Sequence, residues 1–254
     1  MRGLYLAEAA MLTQQAKLNL LSNNLANLRS AGYKRDELAQ VSFNEQLLYC
    51  QGHTGMAKGP GVAARPIGSM PHSVAVGEIR TGFAPGAIEE TGRDLDFALD
   101  RGYFTVQSGD ELLYTRNGRF FLNNAGYLVA ADGQPVLGER GMIRLGNADF
   151  TVDRDGLIYR DGRPVDRLRI TFFSPDAQLE KIGDSYFRLL NRQAIIENEL
   201  PRVYWRCLEN SNVELVEEMV AMLQVRRSFE AAQKMLSTYD QLLNRAANEL
   251  GSLS

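Results

Sequence analysis

The sequence is short of the residues that usually build metal and redox sites. Its 254 residues include two cysteines, two histidines and one tryptophan. It has no CxxC or HxxxH pair, so the ligand spacing of a zinc site is missing. Two cysteines, Cys50 and Cys207, are too few for a disulfide scaffold, and we expect both to be neutral packed thiols. The composition therefore predicts neither a metal nor a cofactor.

An excess of basic residues and a long apolar run are also absent. The chain has 28 Lys and Arg against 31 Asp and Glu, a net charge of −3, so nothing favours nucleic acid as a partner. No run of about 18 apolar residues occurs, and we expect no membrane insertion. The first residues include Arg2 and Glu8 and lack the uncharged core of a cleavable secretory signal.

Motifs of known catalytic chemistry are missing as well. The sequence has no GxSxG elbow and no Gly-rich loop ending in Lys-Ser or Lys-Thr. Two acidic pairs, Asp94 with Asp96 and Asp153 with Asp155, are candidates for acid–base or metal chemistry. Each pair lies in or beside turn-rich sequence, and the second lacks the distal Glu of a calcium loop. We interpret both pairs as turn and surface residues and predict a protein that is not an enzyme.

Both ends of the chain are predicted to be long helices. Between residues 4 and 28, apolar residues recur at spacings of three and four, and Gly32 follows as a stop signal. Residues 213–250 contain neither Gly nor Pro and keep the helical period, after N-cap candidates at 210–212. A helix of roughly 38 residues would be about 57 Å long, which is typical of a coiled coil or an assembly.

The sequence between the helices predicts an extended connector and then a β domain. Residues 52–92 hold nine of the 23 Gly and four of the eight Pro. Beyond them, short β-type runs alternate with the turn pairs Asn117-Gly118, Asp132-Gly133, Asp155-Gly156 and Asp161-Gly162. The stretch 126–136 resembles 156–165, and we expect two successive hairpins of one type. We expect Trp205 to pack where the last strand meets the C-terminal helix.

The predicted fold is therefore α+β, with long terminal helices around a central all-β domain of short hairpin strands. Its predicted segments are an N-terminal assembly helix with its motif (1–35), a connector (36–92), the β domain (93–204) and a C-terminal assembly helix (205–254). Amphipathic ends that cannot bury their stripes on the β domain bury them on each other or on neighbouring copies. A head-to-tail contact of that kind can continue as an open helical assembly.

Two distant motifs resemble those of the flagellar basal-body rod and hook family. The first is Asn23-Asn24-Leu25-Ala26-Asn27, followed by Gly32-Tyr33-Lys34. The second is Leu208-Glu209-Asn210-Ser211-Asn212-Val213, continuing to Glu218-Met219. Family-like segments at 94–99, 103–106, 114–120 and 126–133 lie between them in the same order, so the resemblance covers nearly the whole chain.

The resemblance implies a structural role. Such proteins pass through the flagellar type III export apparatus and assemble into the rod, the drive shaft that transmits torque through the periplasm or cell-wall layer. Their terminal helices pack as a coiled-coil-like inner tube, and the β domain faces outward. The implied partners are copies of the same chain and other rod and hook subunits, without nucleic acid or a small-molecule substrate.

We predict an assembly interface on the terminal helices. Its apolar candidates are Leu18, Leu21, Leu25, Val216, Val220, Leu223 and Leu236. Its polar candidates, expected to fix the register between subunits, are Asn23, Asn24, Asn27 and Asn212. The alternative hypothesis is a secreted cell-wall-binding module or enzyme, with its site in the β domain and helical oligomerisation arms.

Overall fold

The computed structural model describes residues 2–50, 65–146, 149–183, 185–191, 194–196 and 199–251. The chain forms two compact units. Unit 1 comprises Met1–Asn23, Asp36–Arg80 and Val216–Ser254, and unit 2 comprises Asn24–Arg35 and Thr81–Leu215. The middle of the predicted connector, at 51–64, and the side chain of Cys50 lie outside the described residues. No helix within the described ranges is long and apolar enough to cross a membrane.

Unit 1 contains most of each predicted helix. Helix α1 spans Arg2–Ala26 and helix α2 spans Leu215–Gly251, so both begin and end within two residues of the predicted bounds. Glu217 and Glu218 lie in the first turn of α2, where acidic side chains stabilise the positive end of the helix dipole. The N- and C-terminal helices of the predicted α+β fold are confirmed, and their packing as a coiled coil stays a prediction.

The region predicted as an extended connector contains two long strands of unit 1. Strand β1 spans Asp36–Cys50, strand β2 spans Arg65–Thr81, and the two form a two-stranded sheet. The Gly and Pro content of this region indicated an extended chain. It did not indicate that the two extended runs pair with each other.

Unit 2 is built from short strands, as the turn-rich sequence predicted. Its described strands are β3 (Ile88–Glu90), β4 (Phe97–Leu99), β5 (Tyr103–Ser108), β6 (Glu111–Thr115), β7 (Phe121–Leu122), β8 (Leu128–Val129), β9 (Leu137–Gly138), β10 (Gly141–Met142), β11 (Thr151–Val152), β12 (Leu157–Arg160), β13 (Arg163–Arg167), β14 (Ile170–Phe173), β15 (Leu179–Ile182), β16 (Tyr186–Leu189), β17 (Ile195–Ile196), β18 (Val203–Trp205) and β19 (Cys207–Glu209). The largest sheet has six strands in the order β15-β16-β6-β5-β14-β17, all paired antiparallel.

The first and last strands of unit 2 pair with each other. Strand β4 pairs antiparallel with β18, with Leu99 opposite Val203. Strand β3 pairs antiparallel with β19, with Glu89 opposite Leu208. The chain therefore enters and leaves the β region along neighbouring strands, and this pairing places the C-terminal motif beside the start of the unit.

An apolar core fills unit 2 between residues 97 and 203. Phe97, Phe104 and Phe120 are fully buried, and the rings of Phe104 and Phe120 meet edge to face with centroids 5.1 Å apart. Burying one such side chain stabilises a fold by about 1.5–3 kcal/mol. The core members that surround these rings come from strands across the whole β region, so the β region folds around a single core.

Most of the predicted turn pairs form hairpins. Asp161 and Gly162 both have positive φ, 50° and 75°, as the two-residue turn between β12 and β13 requires. The predicted repeat is confirmed as a pair of hairpins but not as hairpins of one type, because at Asp132-Gly133 only the glycine has positive φ. Before each hairpin the amide of Gly126 or Gly156 donates to the carbonyl of Asn123 or Asp153, at 2.9 Å in both cases. A strand and its antiparallel partner follow in each case.

The prediction of a hairpin at Asn117-Gly118 is wrong. Strand β6 ends just before this pair, and its sheet neighbours are β5 and β16 rather than a strand that follows the turn. The carbonyl of Gly118 instead accepts a hydrogen bond from the amide of Phe97 at 3.0 Å. This pair therefore connects the large sheet to the first strands of the unit.

Candidate assembly site

Three buried charged side chains of unit 2 form an ion cluster. Lys34 Nζ lies 2.7 Å from Glu209 Oε1, and Arg116 Nε lies 2.8 Å from Glu209 Oε2. The side chains of Lys34, Arg116 and Glu209 are 1%, 6% and 1% exposed. We call these three residues the charge cluster. It joins the two motifs that resemble those of the rod and hook family, because Lys34 ends the first and Glu209 is the second residue of the second.

The Lys34–Glu209 pair is completed by backbone groups. Lys34 Nζ also donates to the carbonyl of Ala84 at 2.8 Å, and Glu209 Oε1 accepts from the amide of Gly86 at 3.0 Å. Burial lowers the pKa of Lys34, and the carboxylate of Glu209 opposes that shift. Because the effect of burial is the larger one, the lysine is charged against a desolvation penalty that Glu209 only partly offsets.

Arg116 connects the charge cluster to the large sheet. Its guanidinium donates to the carbonyl of Gly102 at 2.6 Å and to that of Asp100 at 3.3 Å. The guanidinium carbon lies 5.7 Å from the ring centroid of Tyr103. Burial raises the pKa of Tyr103 to about 12, although the positive charge of Arg116 acts in the opposite direction. The cluster therefore reaches from both end motifs to the first strand of the sheet.

Asn212, predicted as a polar assembly contact, binds three backbone groups on two other segments of its own chain. Its Oδ1 accepts from the amide of Arg35 at 2.7 Å. Its Nδ2 donates to the carbonyls of Gly82 and Ala84 at 2.8 and 3.1 Å. A side-chain amide can make these contacts at once because it carries both an acceptor and donors. Whether Asn212 also contacts a neighbouring subunit stays a prediction.

The asparagines of the first motif lie at the end of α1. Asn24 is fully buried, and its Oδ1 accepts from the Tyr33 hydroxyl at 3.1 Å. Asn27 Oδ1 accepts from the Ser30 hydroxyl at 2.9 Å, in the turn that follows the helix. Asn23 is exposed. Asn24 and Asn27 therefore have roles in the fold of the single chain, and the assembly roles predicted for the three residues stay predictions.

The predicted apolar seam residues differ in exposure between the two helices. On α1, Leu21 is buried and both Leu18 and Leu25 are half-buried. On α2, Val216, Val220 and Leu223 are 72%, 49% and 56% exposed, whereas Leu236 is half-buried. The described part of α2 exposes further large apolar side chains, namely Leu215, Met219, Met235, Tyr239, Leu242 and Leu243.

These exposed side chains form two stripes on α2. The first stripe comprises Leu215, Val216, Met219, Val220 and Leu223, and the second comprises Met235, Tyr239, Leu242 and Leu243. An α-helix turns by about 100° per residue, so the twelve-residue step from Leu223 to Met235 rotates the second stripe by about 120°. The two halves of α2 therefore present apolar side chains in different directions.

The acidic pairs that were considered as catalytic candidates make structural contacts. Asp94 pairs with Arg206 at 2.6 Å. Asp96 is buried, unlike the surface residue we expected, and lies 3.3 Å from Arg93. Asp153 and Asp155 are exposed in the turn before β12. Among the side chains that the structure describes, no group of three or more His, Cys, Asp or Glu residues is arranged to hold a metal ion.

Trp205 is a packing residue at the end of β18. Its indole Nε1 donates to the carbonyl of Asp94 at 2.8 Å, and its ring lies 6.1 Å from that of Phe150. The guanidinium of Arg206 covers the ring at 4.4 Å. The residue packs against the β core, and β19 rather than α2 follows it along the chain.

The chain has helical ends, a central β unit and two end motifs that are joined by buried ion pairs. Three family models match it in order. They are "Flagella basal body rod protein" at residues 4–34, "Flagellar hook protein FlgE/F/G D1 domain" at 100–160 and "Flagellar basal body rod FlgEFG protein C-terminal" at 207–250. The first match includes Lys34, the second Arg116 and the third Glu209.

Full-length relatives agree with these matches. The flagellar basal-body rod protein FlgG of Bacillus subtilis is 31% identical over 264 residues, which cover 98% of each chain. The flagellar hook-basal body complex protein FlhO of the same organism is 29% identical across the whole of both chains. The flagellar basal-body rod protein FlgF of Caulobacter vibrioides is 28% identical over 99% of each chain. This chain belongs to the flagellar basal-body rod protein family.

Proposed function

We propose that this chain is a structural subunit of the flagellar basal-body rod and polymerises through its terminal helices. The observation that carries the proposal is the exposure of nine large apolar side chains on α2. Isolated helices gain most of their stability from packing, so an amphipathic helix with exposed stripes is suited to a partner. Membership of a family of rod proteins supports rod subunits as the partners.

The energetics favour an assembly with several neighbours over a simple pair. Burying the rest of a half-exposed aliphatic side chain contributes about 1 kcal/mol, so the nine side chains of α2 contribute roughly 10 kcal/mol in total. Association itself costs about 4–15 kcal/mol in lost freedom of motion. Contacts to one neighbour at one stripe would barely offset that cost, whereas two stripes that face different directions suit contacts to two neighbours.

The proposed partners follow from this arrangement. They are copies of the same chain and other rod and hook-basal-body subunits, together with the flagellar type III export apparatus that would deliver the chain to the basal body. In such a tube the helices would form the coiled-coil-like wall, and torque would pass through their packed seams. We propose no catalytic activity and no cofactor, because the two acidic pairs considered as candidates lie in ion pairs or in an exposed turn.

The test compares two aspartate substitutions at adjacent positions of α2. We expect Leu223→Asp to abolish rod assembly, because it places a charge in the first stripe, and we expect Leu25→Asp to do the same on α1. Gln224→Asp is the matched control, since Gln224 is also exposed but lies outside both stripes. Rods would be counted by electron microscopy of isolated basal bodies, and motility would be scored on soft agar.

The fold of each variant must be checked separately from its assembly. Trp205 is the single tryptophan and lies in unit 2, so its fluorescence during urea unfolding reports the state of the β region. We expect all three variants to match the parent in this measurement. Normal rods in Leu223→Asp, or equal loss of rods in Gln224→Asp, would contradict assembly through the stripes.

A further inference from the structure

Residues 24–35, which we call the clasp, form the N-terminal part of unit 2 and are separated from its remainder by 45 residues of unit 1. We infer that the clasp opens on its own while the β core stays folded, and that the charge cluster is its lock. Helix α1 ends inside the clasp and strand β1 begins directly after it. The opening would therefore release the point at which both elements are attached to unit 2.

The apolar core of unit 2 does not include the clasp. Every buried member of the core cluster lies between Phe97 and Val203. Within the clasp the three most deeply buried side chains, Asn24, Tyr33 and Lys34, all carry polar atoms. Breaking the contacts of the clasp with the rest of unit 2 would therefore leave the packing of the core intact. This is the condition for a local opening rather than global unfolding.

Directional polar contacts hold the clasp in place. The amide of Gly32 donates to the carbonyl of Glu209 at 2.8 Å, and the Lys34 ammonium lies 2.7 Å from the carboxylate of the same residue. Lys181 Nζ donates to the carbonyl of Lys34 at 2.9 Å and lies 4.0 Å above the ring of Tyr33. Such contacts weaken steeply with distance. The clasp therefore has two states, one with these contacts formed and one with all of them broken.

Glu209 is the centre of this lock. Its carbonyl holds Gly32, one carboxylate oxygen holds Lys34 and the amide of Gly86, and the other oxygen pairs with Arg116. Loss of its charge would leave two buried cations without their counter-ion. The seated state would be weakened, and the released clasp would have its lysine in water.

Hydrogen exchange of the full chain, followed by mass spectrometry, tests this inference. The peptides to compare cover the clasp and the core segment 119–145, whose amides include that of Leu128, bonded to the carbonyl of Ile143 at 2.9 Å. In the parent chain we expect the clasp to exchange faster than the core segment. We expect Ile158→Val, at a fully buried core position, to speed exchange of the core segment by a factor of about two to ten and to leave the clasp unchanged.

The lock is tested by Glu209→Gln, with Glu89→Gln as the control on the paired strand β3. We expect Glu209→Gln to speed clasp exchange at least about tenfold, the equivalent of about 1.4 kcal/mol, and Glu89→Gln to have no effect. If Glu209→Gln does not fold, Lys181→Met removes two clasp contacts outside the cluster and should act in the same direction. Equal acceleration of clasp and core by Ile158→Val, or no response of the clasp to either lock variant, would overturn the inference.

Discussion

Removing the carboxylate of Glu209 should destabilise unit 2 more than removing the ammonium of Lys34. The variants are Glu209→Gln and Lys34→Met, which keep the approximate size of each side chain. Both side chains are 1% exposed, so water does not solvate the charge that either substitution leaves behind. The difference between them follows from what each substitution leaves behind in the cluster.

The expected magnitudes come from the remaining charges. Glu209→Gln leaves the buried cations Lys34 and Arg116 without a counter-ion, and breaking a buried ion pair in this way costs about 3–5 kcal/mol. Lys34→Met leaves Glu209 paired with Arg116 and with the amide of Gly86. It also removes the desolvation penalty that lowers the pKa of Lys34, so we expect a loss of only about 1 kcal/mol.

Urea unfolding of the full chain, followed by Trp205 fluorescence, measures the difference. The probe is specific because Trp205 is the single tryptophan and packs against the core of unit 2. With a urea dependence of about 1–3 kcal/mol per molar, a difference of about 2–4 kcal/mol separates the two midpoints by about 0.7–4 M. The double variant shows whether the two effects are coupled, as residues in contact should be.

The reasoning would be refuted by the reverse order of stability. Lys34→Met would then lower the free energy of unfolding as much as Glu209→Gln or more. That result would mean that the bonds of the ammonium to Glu209 and to the carbonyl of Ala84 stabilise unit 2 by more than the burial of the charge destabilises it. Glu89→Gln, on the exposed neighbouring strand β3, should change the free energy of unfolding by no more than about 0.5 kcal/mol.

Three further predictions concern other features of unit 2. Above pH 10 the unfolded chain ionises Tyr103 while the native chain resists to about pH 12, so stability should fall by up to ~2.7 kcal/mol; Tyr103→Phe should flatten that part of a urea titration. Gly32→Ala should cost more than Gly133→Ala in thermal unfolding, because both have positive φ but only at Gly32 would the added Cβ strike backbone, that of Arg116; equal losses would contradict this. Asn212→Ala should destabilise unit 2 by about 1–3 kcal/mol in urea, since the amide of its partner Arg35 loses an acceptor, whereas a change under 0.5 kcal/mol would show that water replaces it.

Local patterns predicted the helices and several hairpins because their causes are local. The period of apolar residues and the absence of Gly and Pro at 213–250 located α2. The positive φ required at Asp161-Gly162 located the turn between β12 and β13. The same dipeptide logic was wrong at Asn117-Gly118, where the next partner of the chain is the distant Phe97 rather than an adjacent strand.

The sequence did not predict the charge cluster, although Lys34 and Glu209 belong to the two end motifs. Lys34, Arg116 and Glu209 are far apart in sequence, and their burial depends on the pairing of β3 with β19. The one signal of a buried charge in the sequence was a charged residue directly after an apolar one, namely Lys34 after Tyr33 and Glu209 after Leu208. Such a signal does not identify the partner of a buried charge, and the motifs alone do not distinguish contacts within the chain from contacts between subunits.

The antiparallel pairing of β3 with β19 and of β4 with β18 has a consequence for how this family can vary. The chain between β4 and β18 begins and ends on neighbouring strands. The length of this segment therefore does not change where the chain enters and leaves the β region. Extra sequence inserted at an exposed hairpin tip, such as Gly109-Asp110, would enlarge the β region and leave the clasp and the helices unchanged. The same ends can thus carry β regions of different size, and members of this family can differ in length between the two end motifs without a change in the motifs themselves.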